Sequence, residues 1–415
     1  MREMKDSGVE WIGEIPKDWN CMRLKFAFDN SNVGESVDKE LYSSDENGYI
    51  FYTAGANPVK TSYTEFPMWK YTTDNDILLA RNGTPYIYLP SKDAIYSDHI
   101  IRINIKDGYC RRFLRYCLQR SIESIIVDSV SIATWSISLW KEQKLPLPYY
   151  HEQKYLADYL DAKCSKIDEI IEKQQAIIEK LKEYKLSIIT EAVTKGINPN
   201  VEIKDSGIEW IGYIPKCWNI SRLKYLSSEI GDGLHSTPVY DSEGDYYFMN
   251  GQNIGNEKLV FSDKTDRLNE LEYMKYKKPL LSENTIFITL NGATYGKSSF
   301  YNGEKVLLGK SAGYITLKSS ENKRYIRYYL QSRTAKIFME LSLCGSTIAN
   351  LSLKTLNEFI IPLPSEDEQR RIVNFLDVRC KLIDHNIDEK GKIVEKLQEY
   401  KKSLIYEVVT GKKEV

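Results

Sequence analysis

No uninterrupted apolar run in this 415-residue chain approaches the ~20 residues of a membrane span. The opening, MREMKDSGVEW, lacks the apolar core of a secretory leader, so export is not expected. Seven cysteines, none in a C-x-x-C pair, suit free thiols in a reducing, cytoplasmic setting. The four histidines, His99, His151, His235 and His385, show no metal-ligand spacing, so no metal is expected. Carboxylates are plentiful, but no pair stands out for acid–base work. A glycine-rich methyl-donor loop and an Asn-Pro-Pro-Tyr motif are both missing. The stretch NGATYGKS from Asn291 has three residues between Gly292 and Gly296 where a P-loop needs four, and it reads as a turn between strands. Catalysis and a cofactor are therefore not expected in this chain by itself. A net charge of −1 excludes a broadly basic nucleic-acid binder but not a local basic patch.

What the chain does have, it has twice. KDSGVEWIGEIPKDWNCMRLKF from Lys5 and KDSGIEWIGYIPKCWNISRLKY from Lys204 agree at 16 of 22 positions. The stretches Pro146–Thr194 and Pro362–Thr410 agree at 23 of 49. A period near 200 residues is far longer than a solenoid repeat, so a head-plus-helix unit is used twice. Between the matching segments the halves hardly agree, which predicts two like frames holding two unlike readers.

Each head opens on a Trp-bearing segment, Trp11 and Trp19 or Trp210 and Trp218, with an Ile-Pro pair that favours extended backbone. Strand-like runs broken by Asn and Gly follow, including DILLARNGTPYIYL from Asp76 and NTIFITLNGATYGKSSFY from Asn284. RRFLRYCLQR from Arg111 and KRYIRYYLQS from Lys323 read as matching short helices. SIATWSISLW from Ser131 matches TIANLSLKTL from Thr347. The fold class expected is α+β: recognition heads at 1–148 and 197–364, and long helices at 149–196 and 365–415.

The helices carry apolar seams with steps of four and three. They are Leu160, Cys164, Ile167, Ile171, Gln174, Ile178, Leu181 and Leu376, Cys380, Ile383, Ile387, Lys390, Val394, Leu397. Spacing of 3.5 predicts an antiparallel coiled coil within the chain, with a pseudo-twofold axis. Its apolar members are the candidate partner-binding positions. Two separate amphipathic helices, each lying on its own head, are the alternative. Because the unit is repeated, the first head is expected to pack beside the last helix as the second head packs beside the first.

Candidate base-reading residues cluster in polar turns. Arg81, Asn82 and Thr84 stand in one Asn-Gly turn, and Asn291, Thr294 and Lys297 in the corresponding one. Arg suits guanine and Asn or Gln suits adenine in the major groove. His235 with Thr237, and Asn250 with Gln252 and Asn253, form two more polar loops. Arg112 and Arg115, like Arg324 and Arg327, are candidates for phosphate contact. Ordinary hairpin turns and solvated helix faces are the alternatives.

Several of these segments together resemble the DNA-specificity subunit of Type I restriction-modification systems. They are W-I-G-x-I-P-x-x-W followed by Arg-Leu-Lys, D-G-x-H-x-T-P at Asp232, the paired Asn-Gly turns, and P-L-P-x-x-x-E-Q opening each helix. The likeness spans essentially the whole chain. It implies two target-recognition domains, each reading one half of a split double-stranded DNA sequence. It further implies a coiled coil docking two methyltransferase subunits that bring S-adenosylmethionine, and an ATP- and Mg-dependent restriction subunit. The first head departs from the pattern: it lacks a counterpart of the His235 motif, and its loop after Phe26 is acidic. The competing reading is a coiled-coil scaffold whose heads bind proteins. Steep weakening of binding by salt would mark the DNA reader.

Overall fold

The computed structural model describes residues 2–43, 48–126, 134–277, 281–343 and 350–415. The openings of the SIATWSISLW and TIANLSLKTL segments lie outside these residues. The chain divides into two compact units, Met1–Gln175 with Lys392–Val415, and Ala176–Gly391. Each unit therefore takes one head, half of one long helix and half of the other.

The first head is built on a four-stranded antiparallel sheet in the order Phe28–Val33, Ile100–Ile105, Asp76–Ala80, Ile87–Tyr88. Successive strand residues point to opposite faces. Ile77, Leu79, Ile101 and Ile103 therefore enter the main core, while Leu78, Ala80 and Ile100 enter a second one. Both faces are covered, which is why DILLA reads as a continuous apolar run rather than an alternating one. A second sheet, in the order Ile95–Tyr96, Tyr49–Tyr52, Val59–Thr61, Tyr42–Ser43, closes the second core.

The second head repeats this plan. Its four-stranded sheet runs Ser227–Asp232, Ala312–Leu317, Thr285–Thr289, Ser298–Phe300. Ile286, Ile288 and Ile315 face the main core, and Phe287, Ala312 and Tyr314 the second. The smaller sheet runs Arg267–Leu268, Tyr246–Met249, Val306–Leu308. The helices read as matching are Arg111–Ile126 and Lys323–Leu330.

The repeated motifs form the joint between head and helix. In the first unit the Trp19 indole N–H donates to Glu152 Oε2 at 3.1 Å; in the second, Trp218 donates to Glu368 at 3.0 Å. Gln153 and Gln369 donate to the carbonyls of Pro148 and Pro364. The Arg-Leu-Lys motifs clasp a carboxylate each: Arg23 and Lys25 hold Glu142, and Arg222 and Lys224 hold Glu358. In both cases the lysine hydrogen bond first, and then the paired charges, keep the carboxyl below its ordinary range.

The long helices are Tyr150–Lys195 and Glu366–Val409. They run antiparallel within each unit. In the first, Glu152 and Leu156 share a cleft with Gly411 and Glu414, while Asp168 pairs with Lys401 at 2.6 Å. In the second, Gly196 abuts Glu368, while Lys185 pairs with Asp384 at 2.6 Å. These two ion pairs occupy matching repeat positions.

The helices pair with each other, and each also packs on both heads rather than on its own alone. Leu160, Ile167, Ile171, Val394 and Leu397 pack with Trp19, Leu114 and Leu145 of the first head in one core. Leu376 and Cys380 pack with Ile189, Val193 and Trp218 in the second unit's core. Ile383 is also buried, whereas Ile178, Leu181 and Ile387 are half-buried. The seam thus holds helix to helix and helix to head, and its innermost members present little surface to a partner. The last helix does return to the first head: the Tyr406 hydroxyl donates to the Ile12 carbonyl at 3.2 Å. Among the described residues, no helix is long and apolar enough to cross a membrane.

Candidate nucleic-acid interface

One end of each head is a tip assembled from loops, and the two tips share a backbone frame. In the first, the Arg81 N–H donates to the His99 carbonyl, Trp135 donates to the Arg81 carbonyl, and Asn82 bridges Thr134. In the second, Leu290 donates to Ser311, Leu351 donates to Leu290, and Asn291 bridges Asn350. Glu35 bridges Ser97 as Leu234 bridges Gly309. Ser97 donates to Tyr52 as Gly309 donates to Met249. These bonds fix the equivalences Arg81 with Leu290, Asn82 with Asn291, Ser36 with His235, Asp98 with Lys310, and Thr53 with Asn250.

Each Asn-Gly turn leaves the middle strand of its sheet, Asp76–Ala80 or Thr285–Thr289. Gly83 and Gly292 sit at φ +70° and +84°, in the left-handed region where a side chain is strained. NGATYGKS folds as a loop between two strands, with no helix following it to complete a phosphate cradle.

On this common frame the chemistry differs. In the first tip, an Arg81 guanidinium N–H donates to the Asp98 carbonyl at 3.2 Å, and the Asn82 amide meets His99 Nδ1 at 2.9 Å. Thr84 and His99 are exposed. In the second, Leu290 is buried where Arg81 stood, and Lys310, at the place of Asp98, is an exposed cation. His235 Nε2 lies 2.8 Å from Asp232 Oδ2, with its ring largely exposed beside exposed Thr237. Asn291 is half-buried, and Thr294 and Lys297 are exposed. Asn250 and Asn253 cap a short turn reciprocally, and the buried Asn253 amide also donates to Val260, so these two shape the loop. Gln252 is the exposed member of that trio.

The arginines of the short helices are not at the tips. Arg112 pairs with Asp158 and Asp161 of the first long helix, both at 2.6 Å. Burial opposes its charge, but the hydrogen bonds and charges of these carboxylates outweigh it, and its pKa is raised. Arg324 pairs with Asp377 in the same way. Arg115 lies 4.4 Å over the Tyr116 ring, in a groove lined by Asp161, Asp168 and Glu172. Arg327 is buried and donates to the Ser298 and Asn256 carbonyls. Arg112 and Arg324 thus serve the head–helix joint, and Arg327 braces its own head.

Sequence reasoning passed over Asp98, His99, Lys310 and Ser36. Their signal was weak: they are single polar residues in non-matching segments, and only the strand pairing aligns them. Among the described residues, no group of His, Cys, Asp and Glu side chains is placed to hold a metal.

Two like frames with unlike tips, mounted on paired helices, define a two-part recognition subunit. The family pattern described as the Type I restriction modification DNA specificity domain matches residues 16–188 and again 215–403, and the chain belongs to that family. It is 26% identical over 418 residues to the Type I restriction enzyme MjaVIII specificity subunit of Methanocaldococcus jannaschii, covering 96% of this chain and 93% of that one. It is 24% identical over 310 residues to the EcoBI specificity subunit of Escherichia coli, covering 68% and 62%. It shares its fold with a chain from a structure addressing complex assembly and conformational transition of the type I R-M system. There the TM-score is 0.68 at 16% identity, with 96% and 99% of the chains covered. The scaffold reading finds no support.

Proposed function

We propose that this chain reads a split duplex DNA target, one half-site per tip, and directs methyltransferase and restriction subunits to it. The recognition domains are 1–148 and 197–364, and the helices 149–196 and 365–415 space them and carry the partners. The observation that carries the reading is the shared tip frame with side chains exchanged position by position. A frame kept while its polar tips change is what two different base sequences require, because bases are told apart by donor and acceptor patterns in the major groove.

In the first half-site Arg81, Asn82 and Thr84 face the bases, together with His99. In the second, His235, Thr237, Gln252, Asn291 and Thr294 do so, with Lys297 and Lys310 supplying positive charge. Asn250 and Asn253 hold their loop in place. Arg112 is taken up by helix carboxylates, Arg115 lies over the Tyr116 ring, and both fall outside this set. S-adenosylmethionine belongs to the methyltransferase partners, and ATP with Mg to the restriction partner. The complex works in the cytoplasm, where its DNA is.

Methylome sequencing of a methylation-free bacterium expressing the chain with its methyltransferase tests this. Adenine methylation on both strands of one split motif is the expected result. A stable complex that methylates nothing would overturn it.

A further inference from the structure

Among the described residues, the two most exposed large apolar side chains are Met68, 87% exposed, and Leu271, 84% exposed. They occupy corresponding places. Met68 lies in the 3-10 turn Met68–Lys70, between the strand Val59–Thr61 and the middle sheet strand Asp76–Ala80. Leu271 lies in the helix Glu270–Tyr276, between Arg267–Leu268 and the middle strand Thr285–Thr289. Each has an exposed companion, Trp69 at 65% and Met274 at 57%. Singly exposed apolar residues are common, but paired ones at the same station of both heads form a small patch.

Both patches are rigidly mounted. In the first head the nearly buried Arg102 guanidinium donates to the carbonyls of Lys70 and Tyr71, at 3.0 and 2.7 Å, and lies against buried Asp76. In the second, Asn269 caps the helix, Tyr273 stacks on Tyr246 at 4.0 Å, and Glu272 accepts from the Val239 N–H at 3.0 Å. Both patches also adjoin the tips. Lys70 pairs with Glu35, which bridges Ser97 beside Asp98. Lys275, Tyr276 and Lys277 line a cleft with Asp232 and His235.

We propose that these knobs are nucleic-acid wedges, pressing Met68 and Trp69, or Leu271 and Met274, against a base step beside each half-site. This rests on the reading of the tips as DNA-binding. An apolar wedge partly unstacks a base step and bends the duplex, which lets more protein surface meet it. Continuity with the tips, and exposed Lys277 beside the second patch, favour DNA over a protein as the occupant.

The test uses the assembled complex with its methyltransferase and a duplex carrying the methylated motif. A 2-aminopurine is scanned through the steps flanking, not within, each half-site. The double variant Met68→Ser, Trp69→Ser should bind the duplex at least tenfold more weakly, at unchanged salt dependence. It should also lose the 2-aminopurine brightening beside the first half-site while keeping the motif and the methyltransferase stoichiometry. Leu271→Ser with Met274→Ser should do the same beside the second, and neither pair is in a core. Unchanged binding and brightening in both variants would overturn the wedge. So would loss of methyltransferase with DNA affinity kept, which would make the knobs protein contacts. Wild-type complex without sequence-specific binding would overturn the reading of the tips themselves.

Discussion

Arg81 and Leu290 occupy one backbone position in two heads, and so do Asp98 and Lys310. The second tip thus loses the arginine that opens the turn and gains a lysine where the first has an aspartate. Arg81→Ala should therefore relax one position of the first half-site, costing about 1–3 kcal/mol of discrimination, with the second half-site unchanged. Methylome sequencing reads this directly, and an equal loss at every sequence would assign Arg81 to phosphate or to structure. Replacing Asp98→Lys together with His99→Ser should alter the same half of the motif only. Arg112→Ala should behave otherwise. Its partners are helix carboxylates, so it should lower the melting temperature by an amount equivalent to about 1 kcal/mol, the pair being partly exposed, and leave the motif as it was. At this scale the sequence showed the Asn-Gly turns because glycine is demanded there by a left-handed backbone. It did not show His99 or Lys310, because nothing local distinguishes a tip residue from any other polar loop residue. It also suggested phosphate contact for Arg112, whose true partners lie 46 and 49 residues away.

The long helices are the elements on which both heads depend. Ile171 is buried in the first unit and Ile387 half-buried in the second. Ile171→Asp with Ile387→Asp places charge on the seam, at a cost of several kcal/mol for the buried site. Unfolding at lower temperature and loss of methyltransferase in co-purification are the expected outcomes. An unchanged complex would remove the seam from any part in assembly. Cys380, on the second helix, has its thiol pushed up to about 11 by burial. The unfolded chain gives up this proton near the usual 9, before the folded chain does. The associated stability is therefore full below pH 9 and falls as pH rises toward 11, by up to about 2–3 kcal/mol. Alkaline melting curves of wild type and Cys380→Ala should converge over that interval if the thiol is the cause. The 3.5-residue spacing from Leu160 to Leu181 and from Leu376 to Leu397 made these helices legible, since a sustained apolar period of that kind specifies a long paired helix and little else.

At the scale of the molecule, each compact unit takes half of each long helix, so the first is completed by the distant stretch Lys392–Val415 while the second is the continuous stretch Ala176–Gly391. The duplication, the paired Asn-Gly turns and the helical seams were all determined by the sequence. These are properties of local pattern: apolar periodicity, turn-forming residues and self-similarity act over neighbouring positions, whatever the rest of the chain does. The membership of the tips, the capture of Arg112 and Arg324 by the long helices, and the exposed knobs were decided only by the tertiary structure. Each depends on which distant segments a buried sheet brings side by side, and the pairing Glu35 with Ser97 or Leu234 with Gly309 is written in no local pattern. The motifs that repeat most clearly turn out to hold heads to helices, because a joint must be built the same way twice. The residues proposed to read DNA lie where the repeat fades, because two half-sites must be read differently.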